Sequence, residues 1–213
     1  MSELTPLRPV KQRRLSRDEK ARDTYKRLLE SAAQVVGEDG YADASVSKIT
    51  RLAGVAQGTF YNYFETRQDV LDRLLPYMGR QMLDHIGRSL AHDLTGAERE
   101  EARFRAFFDY LNEHPAFYRI LYEAEIFAPD AHDEHFRILV DGYKGALGRA
   151  VERGEIKGYS DQELEAVIYM LLSARSYLAM RYVHDGKGGT GPLPGHVIDA
   201  YVKFVTRGLF AAG

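Results

Sequence analysis

Two short amphipathic segments joined by one tight turn constrain this chain more than any other feature. Ser45 to Leu52 reads as a helix opened by Ser45, with Val46, Ile49 and Ala53 on one face. Gly54-Val55-Ala56 then breaks the pattern. Gln57 to Phe64 reads as a second short helix, with Phe60 and Phe64 four apart and directed inward. Two helices so joined make a helix-turn-helix, which lays its second helix in the DNA major groove.

The groups facing outward from that second helix suit such a role. Gln57 and Asn62 carry amides able to pair with base edges, and Thr59 can donate, accept or meet a thymine methyl. Gly58 lets the backbone approach DNA closely. Lys48 and Arg67 are basic partners for phosphate, and Ser45 can serve either as a cap or as a phosphate donor. Tyr61 and Tyr63 could pack against neighbouring helices or face outward.

Charge placement agrees with this reading, although the net charge of −2 does not suggest a nucleic-acid partner. Residues 1–67 hold 12 Lys and Arg against 9 Asp and Glu, whereas residues 68–213 hold 17 against 22. A basic end on an acidic remainder suits phosphate contact at one end only. The chain has no cysteine, which removes disulfides and thiolate chemistry. No apolar run reaches membrane-spanning length and the start is polar, so the cytoplasm is the expected location.

Periodicity predicts an all-α fold of about nine helices: a three-helix head and a larger helical body. Residues 1–15, with two prolines and basic Arg8, Lys11, Arg13 and Arg14, read as a flexible arm. Ser16 and Glu19 form a capping box that opens helix 1, and Gly37 with Gly40 ends it. The head then covers 16–67 and the body 68–213. Thr66 opens helix 4, which contains Pro76 and is expected to kink or break there. Thr95 with Glu98 opens helix 5, Ala116 to Ala128 forms helix 6, and a stripe from Phe136 to Val151 marks helix 7. Ser160 with Glu163 opens helix 8, and a last helix runs to Phe210.

The run Ala53-Gly54-Val55-Ala56, the run Gly58 to Phe64, and Gly40, Tyr41, Ser45, Ile49, Thr66, Arg67 and Leu71 together resemble the tetracycline-repressor-like (TetR) family of bacterial regulators. The resemblance covers roughly the first third of the chain. It implies a ligand-responsive repressor that binds a palindromic operator as a dimer and is released by a small molecule bound in the body. It implies phosphate contacts at Ser45, Tyr61 and Tyr63. Arg67 stands where the family more often has lysine.

The last two helices are apolar on more than one face, which independently calls for a second copy of the chain. A homodimer through helices 8 and 9 is therefore expected. Of the many body aromatics, Phe107, Tyr118 and Tyr122 are candidate ligand contacts, together with Arg175. Arg175 lies on an apolar stripe and needs an anion: Glu123, Glu125 or a ligand carboxylate or phosphate. An apolar acid or acyl thioester is the expected effector.

Other features point elsewhere and carry less. Asp130, His132, Asp133 and His135 crowd a helix start, where acidic groups are favoured, and read as a solvated end rather than a metal site. The glycine-rich 186–191 lacks the strand and spacing of a phosphate loop and reads as a linker. No cofactor is expected. A helical enzyme using Glu123, Glu125, His114 or tyrosines is a competing class, but no spacing links these residues. A dimeric small-molecule binder without sequence-specific DNA binding is another.

Overall fold

The computed structural model describes residues 16–91, 93–183 and 191–210, in which nine α-helices are present and no strand. The basic arm 1–15 and most of the glycine-rich stretch, 186–190, lie outside the described residues. The helices are α1 (Arg17–Asp39), α2 (Val46–Ala53), α3 (Gln57–Phe60), α4 (Arg67–Ser89), α5 (Gly96–Glu113), α6 (Ala116–Phe127), α7 (Pro129–Glu152), α8 (Asp161–Leu178) and α9 (Gly195–Gly208). A five-residue π-helical segment, Ala179–Val183, extends α8.

Sequence-encoded caps set most starts. Ser16, Thr95 and Ser160 each form a reciprocal capping box with the glutamate three residues on, and Ser45 and Thr66 cap α2 and α4 through their hydroxyls. Gly54 ends α2 at φ 66°, a left-handed turn that a Cβ would strain.

Helix α3 is shorter than its expected span. The α-helical part stops at Phe60, and Tyr61–Tyr63 form tighter turns in which Asn62 and Tyr63 donate to carbonyls three residues back at 3.2 and 2.9 Å. The next cap, at Thr66, already claims the chain. Phe60 and Phe64 are nonetheless both buried as their spacing requires, with ring centroids 5.2 Å apart.

Pro76 does not break α4, which runs unbroken from Arg67 to Ser89 with the proline ring buried. Pro76 has no N–H for the Asp72 carbonyl, so one rung of the helical ladder is missing at mid-length. Near the same point Gly79 lets α7 come close: a Cβ there would lie 2.3 Å from His135 Nδ1. Helix α4 packs on α1, α5, α6 and α7, and so joins the helix-turn-helix to the rest of the core. Helix α1 also packs directly on α6.

Candidate nucleic-acid interface and effector cavity

The turn after α2 and the single turn of α3 present Gln57, Gly58, Tyr61 and Asn62 to solvent, with Thr59 and Tyr63 half-buried. Among the described residues, the side chains of Gln57, Thr59 and Asn62 have no internal hydrogen bond. A Cβ at Gly58 would meet open space, so nothing within the chain demands glycine there. Tyr61 is 57% exposed and edges onto Phe60, while Tyr63 lies against Tyr25 at 6.3 Å between centroids. Phe60 and Phe64 below them fix this face to the core.

The basic residues of the expected contact set have other partners. Lys48 Nζ donates to Asp39 Oδ2 at 2.9 Å and to the Asp43 carbonyl at 3.1 Å. Arg67 donates to the carbonyls of Tyr41, Ala42 and Ala44 and so staples the start of α4 to the α1–α2 loop. Its expected phosphate role meets a guanidinium already engaged inside the fold. The Ser45 hydroxyl accepts the Lys48 N–H at 3.3 Å as the cap of α2.

A second site lies between α4, α5, α6, α7 and α8. It is a narrow, mostly apolar cavity of about 60 Å³, walled by residues such as Met82, Ile86, Phe107, Phe117, Leu139 and Leu172. That volume admits only a few water molecules. Its polar lining comprises Arg103, Tyr143, Arg175, Ser176 and His135; Arg103 and Arg175 lie over the Tyr143 ring at 6.0 and 5.3 Å, and His135 lies about two turns earlier on α7. Of the candidate ligand contacts, Phe107 and Arg175 line it. Tyr118 and Tyr122 do not: α6 turns Phe117 and Leu121 inward, and the neighbouring positions point away. Those two tyrosines lie against each other at 4.3 Å, and Tyr122 is 40% exposed.

The anion beside Arg175 is Glu100, not Glu123 or Glu125. Arg175 Nη2 donates to Glu100 Oε1 at 2.6 Å and Nη1 to the Leu171 carbonyl at 3.1 Å. The same carboxylate oxygen accepts the Tyr201 hydroxyl at 2.6 Å and the Tyr143 hydroxyl at 3.4 Å. Three helices, α7, α8 and α9, therefore converge on one side chain of α5. The sequence carried a signal for it, because Glu100 is in phase with the apolar stripe of Phe104, Phe107 and Leu111. Glu123 instead accepts the Tyr41 N–H at 2.7 Å and pairs with Arg119 at 2.6 Å. Glu125 is exposed.

The start of α7 differs from its expected solvated character at one position. Asp130 and Asp133 are exposed, but His135 is buried over Gly79, and burial, with a smaller contribution from His132, lowers its pKa to about 4. Among the described residues no three or more His, Asp or Glu side chains gather to hold a metal ion. His114 lies tilted against Tyr110 with ring centroids 4.2 Å apart, whereas Glu123 is engaged by Tyr41 and Arg119.

On α8 and α9, several large apolar side chains face outward: Tyr169 (49% exposed), Met170 (63%), Tyr177 (68%) and Phe204 (71%). No helix of the described residues is long and apolar enough to cross a membrane.

A family model described as bacterial regulatory proteins, tetR family, matches residues 28–74. The fatty acid metabolism regulator protein of Bacillus subtilis is 33% identical over 78 residues, which are 37% of this chain and 40% of that protein. An HTH-type transcriptional regulator of the same organism, YvdT, is 36% identical over 35% of this chain and 36% of its own length. The chain thus spans well under half the length of both relatives. The HTH-type transcriptional repressor KstR2 of Mycobacterium tuberculosis is 25% identical over 87% of this chain and 92% of its own.

Among solved structures, the transcriptional regulator FadR from Bacillus subtilis in complex with stearoyl-CoA superposes with a TM-score of 0.70 at 22% identity, over 87% of this chain and 99% of that one. The fatty acid degradation regulator FadR from Bacillus halodurans gives 0.71 at 22% identity, over 89% and 97%. Residues 28–74 therefore match the tetR family of bacterial regulatory proteins, and the chain shares the fold of these solved regulators.

Proposed function

We propose that the chain is a cytoplasmic transcriptional repressor that binds a palindromic operator as a homodimer and is released by an apolar, acyl-bearing effector. The observation that carries the DNA reading is the outward face of α3. Among the described residues, the side chains of Gln57 and Thr59 on it and of Asn62 just beyond it have no internal hydrogen bond, above the buried Phe60–Phe64 pair. Unpaired amides on a fixed frame are suited to base edges. In this reading residues 16–67 form the DNA-binding domain, with the arm 1–15 beside it. Residues 68–213 form the effector-binding and dimerisation domain.

The exposed Tyr169, Met170, Tyr177 and Phe204 support a dimer through α8 and α9, since a face this apolar is unusual on a monomer. The effector reading rests on the apolar cavity, and on relatives whose names concern fatty acid metabolism and a stearoyl-CoA complex. At about 60 Å³ the cavity is nearly closed, so an acyl chain must part the helices around it. Helices α4 and α6 wall the cavity and also touch the head, so parting them displaces α3.

Internal engagement of Lys48 and Arg67 favours a second reading, a ligand-binding dimer with weak, sequence-blind DNA affinity. Selection of bound duplexes from a random library at physiological salt separates the two. Enrichment of a palindrome is expected for the repressor. Binding without enrichment would sink it in favour of the second reading.

A further inference from the structure

Two guanidiniums face the cavity and share one carboxylate. Arg175 donates to Glu100 Oε1 and to the Leu171 carbonyl. Arg103, one turn further along α5, reaches Glu100 Oε2 only at 3.6 Å and makes no hydrogen bond among the described residues. Oε2 is itself buried without a hydrogen-bond donor. Both arginines line the cavity, with side chains 15% (Arg103) and 5% (Arg175) exposed.

The other polar groups that line the cavity or meet Glu100 supply no compensating charge. Burial pushes the Tyr143 and Tyr201 phenols above the ordinary tyrosine value, so both stay neutral at pH 7. Burial keeps the His135 imidazole neutral as well. Ser176 carries no charge. The polar lining and Glu100 together therefore hold two positive charges against one negative, in a pocket whose other walls are apolar. An unmatched, largely buried cation is costly and draws an anion.

We infer that Arg103 anchors the carboxylate head of an apolar ligand, so that this cavity takes a free apolar carboxylate in preference to its neutral ester or thioester. The inference rests on the body being an effector-binding domain. A monoanionic carboxylate completes two guanidiniums against two carboxylates, whereas a dianionic phosphate would reverse the imbalance. The guanidinium fork of Arg103, with no hydrogen bond among the described residues, matches a carboxylate in geometry as well as charge. From Tyr143 the apolar wall follows α7 back to His135, about 12 Å of helix, and gives the ligand's tail a direction.

The test is calorimetric titration of the full chain with dodecanoate, methyl dodecanoate and dodecanoyl-coenzyme A, repeated on Arg103→Gln and Arg103→Lys. Dodecanoate is expected to bind at least about tenfold tighter than the methyl ester. Arg103→Gln should erase that preference, and Arg103→Lys should restore part of it. Equal affinity for acid and ester in the unmodified chain would overturn the inference without any variant. So would a preference that survives in Arg103→Gln. Binding of the thioester alone would also overturn it, yet leave an acyl-effector repressor standing. If none of the three binds or releases operator DNA, both readings fall.

Discussion

Glu123 accepts the Tyr41 backbone N–H at 2.7 Å, across 82 residues of sequence, and fastens α6 to the end of α1. Arg119, one turn earlier on α6, completes the clamp by donating to the carbonyls of Gly37 and Glu38 at 3.2 and 2.9 Å. The opposite face of α6 supplies Phe117 and Leu121 to the cavity. One helix therefore touches both the cavity wall and the head, and a ligand that moves it has a mechanical route to α1 and α2.

Arg119→Met should loosen this clamp with little effect on the cavity itself. Effector affinity is expected to stay within about twofold, while the effector-induced drop in operator affinity shrinks by about tenfold, a coupling loss of roughly 1.4 kcal/mol. Operator titrations with and without effector read both quantities. An unchanged drop would rule the clamp out of the coupling.

Pro76 is expected to matter for induction and not for ligand-free binding. Pro76→Ala returns the missing rung to the Asp72 carbonyl and stiffens α4 between the head and the cavity. Effector concentrations needed for half-release should change, while affinity for the operator without effector holds. Unchanged induction would assign the proline to packing alone.

His135 should make the fold sensitive to acid. Its pKa lies at about 4 in the folded chain, below the ordinary value of 6.5. A depressed histidine pKa means that the unfolded chain binds the extra proton, so the stabilisation is complete above pH 6.5 and lost as pH falls towards 4. The ceiling on this contribution is about 3 kcal/mol. Imidazole resonances followed by NMR should show one histidine still neutral at pH 5; titration of every histidine near 6.5 would contradict its burial.

Gly79→Ala should destabilise the chain by about 1–3 kcal/mol, because its Cβ would meet the His135 ring at 2.3 Å. Denaturant unfolding measures the loss, and trimming the ring in a Gly79→Ala, His135→Ala double variant should make the two changes non-additive. Simple additivity would show that the ring moves aside freely.

Within the head, Arg67 and Asn62 should separate stability from recognition. Arg67→Ala removes donors to three carbonyls and is expected to cost about 1–3 kcal/mol of stability. Asn62→Ala, at an exposed side chain with no hydrogen bond among the described residues, should leave melting unchanged and weaken the selected operator by about 1–3 kcal/mol. The reverse pattern would exchange their roles.

Much of this was legible in sequence wherever a local rule decided the outcome. Ser16, Thr95 and Ser160 announced their helices by the glutamate three residues on, and Phe60 with Phe64 announced the buried side of α3. What the sequence concealed depends on distant pairing. Arg175 visibly needed an anion, but choosing Glu100 over Glu123 requires knowing that α5 lies beside α8 while α6 turns to α1. Arg67 looked like a free cation because its acceptors are backbone carbonyls, which no side-chain pattern reveals. His135 looked solvated by its neighbours Asp130 and Asp133, yet it shares the inward stripe of Ala131 and Leu139, and only Gly79 on another helix makes room for it.

The most direct measurement is the affinity of the full chain for its selected palindrome against a scrambled duplex of equal length, at physiological salt, with and without a saturating acyl ligand. The palindrome is expected to be preferred by at least about a thousandfold, and that preference to fall by at least about tenfold when the ligand is added. Equal affinity for both duplexes, unmoved by ligand, would contradict it.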